Sequence, residues 1–116
     1  MSKTIFEKIR DREVPGEFVY EDNEVMAIKD IRPAAPIHIL IIPKQAYPTL
    51  EDVPTESDLP AKMIKVAQQI AKEQGISKNY KLFMNVGKKV QMVHHVHLHL
   101  MGGWDNPSPS TQVKIV

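Results

Sequence analysis

Apolar residues recur along this chain with two periods, and the changes of period divide it into elements. Ile5, Phe6 and Ile9 share one side of a short helix. Thr4 and Glu7 have the spacing of a capping box, so that helix starts at Thr4 and stops before Pro15. In "EFVYEDNEVMAIKD" two strand-like runs flank Asp22-Asn23, a polar pair suited to a tight hairpin. "PIHILIIPK" lies between Pro36 and Pro43 and is rich in β-branched residues, which predicts a mostly buried strand. The proline-spaced, acidic "QAYPTLEDVPTESD" reads as a loop. Beyond it, Leu59, Met63, Val66, Ala67 and Ile70 follow helical spacing. Ser57 or Asp58 can cap this second helix, Pro60 fits its first turn, and Gly75 marks its end. "YKLFMNV" and "HVHLHLM" alternate and read as strands.

Strands gathered with one long and one short helix, without βαβ alternation, predict an α+β domain built on an antiparallel sheet. It occupies residues 1–104. From Asp105 the chain carries Pro107 and Pro109 among serines, and residues 105–116 read as an extended or mobile tail. A strand such as "YKLFMNV" offers an edge that a second copy could cover, and two-fold dimers are the commonest oligomers.

Composition narrows the function. A chain of 116 residues is most simply one domain, and Lys+Arg 15 against Asp+Glu 14 lacks the basic footprint of a nucleic-acid binder. With no cysteine there are neither disulfides nor thiolate metal ligands, which suits a reducing, cytoplasmic setting. The charged start lacks the apolar core of a signal peptide, and no apolar run is long enough to span a membrane.

All but one of the five histidines lie within "HHVHLH". On a strand His95, His97 and His99 share one face, while Val96, Leu98 and Leu100 share the other and pack on a helix. The imidazole face would then line a cleft or meet solvent. At a rise of ~3.3 Å per residue, His95 and His99 begin about 13 Å apart, too far for both to approach one metal ion easily at ~2.1 Å. A neighbouring pair with His38 could do so, but no carboxylate is evident beside them. An extended phosphate ester or anhydride fits such a row better. A neutral imidazole is a competent nucleophile, and its neighbours can stabilise charge on phosphate oxygens. Gly102-Gly103 would let the chain turn away afterwards.

"HHVHLHLMGG" resembles the His-φ-His-φ-His-φ-φ signature of the histidine triad (HIT) superfamily, φ being apolar. With "TIFEKI", "VPGEFVYED", "AIKDIRPAAPIHILIIPKQ", "YKLFMNVG" and "MGGW" in order, nearly the whole chain is similar to the Hint branch of nucleotide-binding proteins. The resemblance implies a homodimer in which two five-stranded antiparallel sheets join into ten strands. It implies binding of purine nucleoside monophosphates, and hydrolysis of AMP or GMP conjugates in phosphoramidate or acyl-phosphate linkage, with no cofactor and no metal. His97 falls at the nucleophile, His99 at the α-phosphate contact, His95 at the first triad position and His38 at a fourth, supporting histidine. Asp30 and Ile31 correspond to the pair meeting ribose and base. Phe6, Ile9 and Ile28 correspond to the purine pocket, and Asn85 to an amide on the phosphate side.

The loop before the triad departs from the branch. "GKKVQMVH" is one residue short and keeps Gln91, but it has Val90 where glycine occurs and Met92 where serine often occurs. Gln91 and Met92 are nonetheless placed at the nucleotide by this correspondence. Met92 brings no hydroxyl to protonate a leaving group. Two other functions compatible with the resemblance are hydrolysis of dinucleoside polyphosphates and nucleotide binding with weak catalysis. The family's C-terminus, which corresponds to the tail here, influences substrate choice across the dimer.

Overall fold

In the computed structural model, which describes residues 2–104, the elements follow the sequence periods closely at first and less closely near the histidines. Helix α1 spans Ile5–Arg10. Its capping box is formed: the Thr4 hydroxyl accepts from the Glu7 amide, and the Glu7 carboxylate accepts from the Thr4 amide. Phe6 and Ile9 are buried, but Ile5 stays exposed, so the apolar side is narrower than the spacing implied. Strands β1 (Phe18–Glu21) and β2 (Val25–Lys29) form the hairpin. Its turn is held by Asp22, whose carboxylate accepts from the amides of Glu24 and Val25. Strand β3 covers Ile37–Pro43 and helix α2 Leu59–Glu73, followed by β4 (Tyr80–Phe83) and β5 (Leu98–Gly102). At the start of α2, Ser57 Oγ accepts from the Leu59 amide, whereas the Asp58 side chain makes no capping bond. The segment read as a loop holds one 3-10 turn, Leu50–Asp52. The strands lie in the order β1-β2-β3-β5-β4, every neighbouring pair antiparallel. This is the α+β sheet that the sequence predicted. No helix among the described residues is long and apolar enough to cross a membrane. The tail, residues 105–116, lies outside the described residues.

Alternation along β3 feeds two separate cores. Ile39 and Ile41 join Val25, Ala27, Leu98 and Leu100 beneath Met63, Val66, Ala67 and Ile70 of α2. Leu40 and Ile42 join Met26 and Ile28 beneath Phe6 and Ile9 of α1. Each such buried aliphatic side chain contributes on the order of 2 kcal/mol. Because α1 is only six residues long, it covers part of its face. The rest of that face carries His38 and His99.

The histidine row is the main departure from expectation. β5 begins only at Leu98, so His95 and His97 precede the strand. The amide of Val96 is bonded instead to the carbonyl of Tyr47, in the loop after β3. β4 likewise ends at Phe83, leaving Asn85 outside it. At the far end of β5 only Gly103 has a positive φ, +89°. Gly102 is small for another reason: a Cβ there would meet Ile76 Cδ1 at 2.5 Å.

Candidate active site

Four imidazoles gather along β3, from His38 near its start to the Pro43 carbonyl at its end, beside the start of β5 and the first turn of α1. Antiparallel pairing sets Leu40 opposite His99, so His38 lies diagonally across from His99 on the same face. His38 Nδ1 accepts from the amide of Ala34 at 3.0 Å. Its proton must therefore be on Nε2, which donates to His99 Nδ1 at 3.0 Å. Neutral His99 consequently carries its proton on Nε2. That atom is buried and has no hydrogen-bond partner among the described residues.

His97 is held the opposite way round. Its Nδ1 lies 2.7 Å from the carbonyl oxygen of His95, which can only accept, so the proton sits on Nδ1. The Nε2 lone pair is thus left open. The His97 and His99 rings are 4.9 Å apart, centre to centre. An unprotonated nitrogen and an unpartnered N–H donor therefore belong to neighbouring rings. An orphaned buried donor costs about 1–3 kcal/mol, and an incoming anionic oxygen would remove that cost.

His95 lies on the same side as His97, under Phe6, while Val96, Leu98 and Leu100 enter the opposite core. The His95 ring is fully buried, donating from Nε2 to the Pro43 carbonyl at 2.8 Å, with Thr4 Oγ1 3.0 Å from Nδ1. It is a support, not a lining residue. Burial pushes the pKa values of all four histidines below the ordinary 6.5. His99 falls furthest, to about 4, chiefly through burial and then through the charges His97 and His38 would carry. All four are neutral at pH 7, as the tautomer assignment requires.

Around them stand the other residues read from the sequence. Phe6 presents its ring edge-on to both His95 and His97, at 5.6 and 5.0 Å between centroids, and clusters with Ile9 and Ile28. Asp30 does two things. One carboxylate oxygen accepts from the Arg32 amide and closes a turn; the other lies 3.5 Å from His38 Nε2. So a carboxylate does stand beside the histidines, contrary to expectation. Asp30, His38 and His99 hold potential ligand atoms within 4.8 Å of one another. A metal there would have to break the His38–His99 bond, and His97 is outside the cluster.

Ile31, Asn85 and Met92 are exposed, Met92 by 94%. Gln91 is buried with its amide fully used: Nε2 donates to Pro48 and Val93 carbonyls, and Oε1 accepts from the Gly87 amide. It clasps the loop rather than facing the histidines. His94 is exposed and apart from the cluster.

Phe83 was not singled out by sequence, yet its ring stacks on His99 at 4.6 Å and 7°. The register that pairs Phe83 with His99 across β4 and β5 produces the stack. A cross-strand partner is invisible until register is known. Replacing Phe83 with Leu is expected to raise the His99 pKa by admitting water to that face, measurable by NMR titration of the ring.

The HIT domain family matches residues 11–106. The purine nucleoside phosphoramidase of Escherichia coli K12 is 47% identical over 104 residues, spanning 87% of each chain. Among solved structures, a HIT family hydrolase from Clostridium thermocellum superposes with TM-score 0.86 and 38% identity, over 100% of this chain and 99% of that one. Another from Legionella pneumophila gives TM-score 0.82 at 42% identity, over 87% and 93%. With its four-imidazole cluster and this sheet, the chain belongs to the HIT domain family.

Proposed function

We propose that this protein is a HIT-family hydrolase that cleaves purine nucleoside 5′-phosphoramidates or acyl-nucleotides through a covalent intermediate on His97. The pairing of an open lone pair on His97 Nε2 with an unpartnered Nε2–H on His99 carries the reading. In the first step His97 Nε2 forms a bond to the α-phosphorus while the bond to the amine or carboxylate breaks. The ring becomes a nucleotidyl-imidazolium, and the His95 carbonyl, already accepting from Nδ1, offsets its positive charge. His99 Nε2–H donates to a non-bridging oxygen. Water then attacks phosphorus, the P–N bond breaks, one water proton passes to solvent, and the nucleoside monophosphate leaves with His97 neutral again. Phe6, Ile9 and Ile28 would face the purine, and Asp30 would accept from ribose hydroxyls. The relative from Escherichia coli, by its name, acts on purine nucleoside phosphoramidates, which supports this substrate class.

Pairing through the outer edge of β4 with a second copy would extend the five strands to ten. No metal enters any step.

An amine leaves phosphorus only with a proton, whereas a carboxylate leaves without one. Met92, solvent-facing and without a hydroxyl, supplies none. The expected result is AMP release from an acyl-adenylate faster than from adenosine 5′-phosphoramidate, in the presence of chelator, because the amine must take its proton from solvent. Failure of the wild type to release AMP from either compound would overturn the reading.

A further inference from the structure

We propose that Thr4, through its hydroxyl proton, is a positioning residue that fixes the His95 ring and so steadies the residue whose carbonyl holds the His97 Nδ1 proton. The inference rests on His97 being the nucleophile. Thr4 and His95 are 91 residues apart in the chain, yet Thr4 Oγ1 lies 3.0 Å from His95 Nδ1. The same oxygen accepts from the Glu7 amide at 3.1 Å. A hydroxyl has one proton, and the Glu7 bond does not use it, so it is available for His95 Nδ1.

The opposite ring nitrogen agrees. His95 Nε2 faces the Pro43 carbonyl at 2.8 Å, which can only accept, so Nε2 must carry the proton and Nδ1 must receive one. Both ring atoms of a fully buried histidine are thereby fixed. The carbonyl of the same residue is what takes the His97 Nδ1 proton and leaves Nε2 open for attack. Thr4 also caps the helix whose Phe6 packs on both rings. One hydroxyl therefore joins the start of α1, the wall of the proposed purine pocket and the nucleophile.

A purely structural role as helix cap makes a different forecast, and aspartate separates the two. Asp is as good an N-cap as Thr, and its carboxylate can accept from the Glu7 amide. It has no proton to give, so Nδ1 of His95 would instead take one and donate to it. Thr4→Ser keeps both functions, and Thr4→Val keeps the shape alone.

The test combines NMR of the histidine ring nitrogens in labelled protein with AMP release from adenosine 5′-phosphoramidate. Thr4→Asp is expected to fold, to show His95 protonated at Nδ1, and to lose about ten- to a hundredfold in kcat with KM nearly unchanged, the usual scale for an orienting partner. Thr4→Val loses turnover similarly, and Thr4→Ser restores it to within about threefold of the wild type, as retention of the orienting bond requires. Wild-type turnover in Thr4→Asp, or unaltered His95 signals in that variant, would overturn the proposal. If the wild type releases no AMP, the hydrolase reading fails instead, while the ring signals still decide what Thr4 does.

Discussion

Replacing His97 with alanine is expected to lower kcat for AMP release by about a thousandfold or more, while AMP still binds. The size follows from the role: loss of the nucleophile removes a covalent path, not one contact along it. Binding survives because the groups assigned to purine and ribose, Phe6, Ile9, Ile28 and Asp30, are held by α1, β2 and the turn at Asp30, not by His97. The orphaned His99 donor also remains, since its tautomer is set by His38. The buried ring does leave a space beside Phe6, so circular dichroism should accompany the assay. Equal turnover in the variant and the wild type would remove His97 from the mechanism. Abolished turnover with AMP binding intact rules out the reading of a nucleotide-binding protein whose catalysis is vestigial.

Acidification from pH 7 towards 4 is expected to remove stability and turnover together. All four clustered histidines have pKa values pushed below the ordinary 6.5 by burial. In that interval the unfolded chain binds protons that the folded protein refuses, so stability is complete above about 6.5 and falls as pH drops. With His99 at about 4, its share alone is on the order of 3 kcal/mol. Glu21, held at about 2 by Arg12 and Lys44, adds a loss of the same sign, but only at more acid pH. Urea unfolding at pH 7, 6, 5 and 4 measures this directly; a free energy constant from 7 to 5 would contradict it. Turnover should follow a similar course, since a protonated His97 has no lone pair to attack with.

Much of this molecule was legible before any coordinates, and the reasons differ by element. The α1 capping box and the α2 stripe could be read because they depend on residues three or four apart. The hairpin at Asp22 could be read because its turn chemistry is local. "HVHLHLM" was misjudged in extent because alternation describes an extended chain without saying what it pairs with. His95 and His97 are bonded to Pro43 and to the backbone of residue 95 rather than to a neighbouring strand. Partners distant in sequence were the ones missed: Phe83 through strand register, and Thr4 across the whole domain. Gln91 was placed at the nucleotide by correspondence with relatives, whereas its side-chain bonds are all internal to the loop and its surroundings.

The central claim is a covalent bond between His97 and the nucleotide phosphorus. It is tested most directly by mixing the protein with adenosine 5′-phosphoramidate, quenching within the first turnovers and digesting for mass spectrometry. The account predicts an adenylyl group on the peptide bearing "HHVHLH", assigned to His97 by fragmentation and lost on acid treatment. Steady turnover with no adduct at any time, or an adduct on His38, His95 or His99 in place of His97, would contradict it.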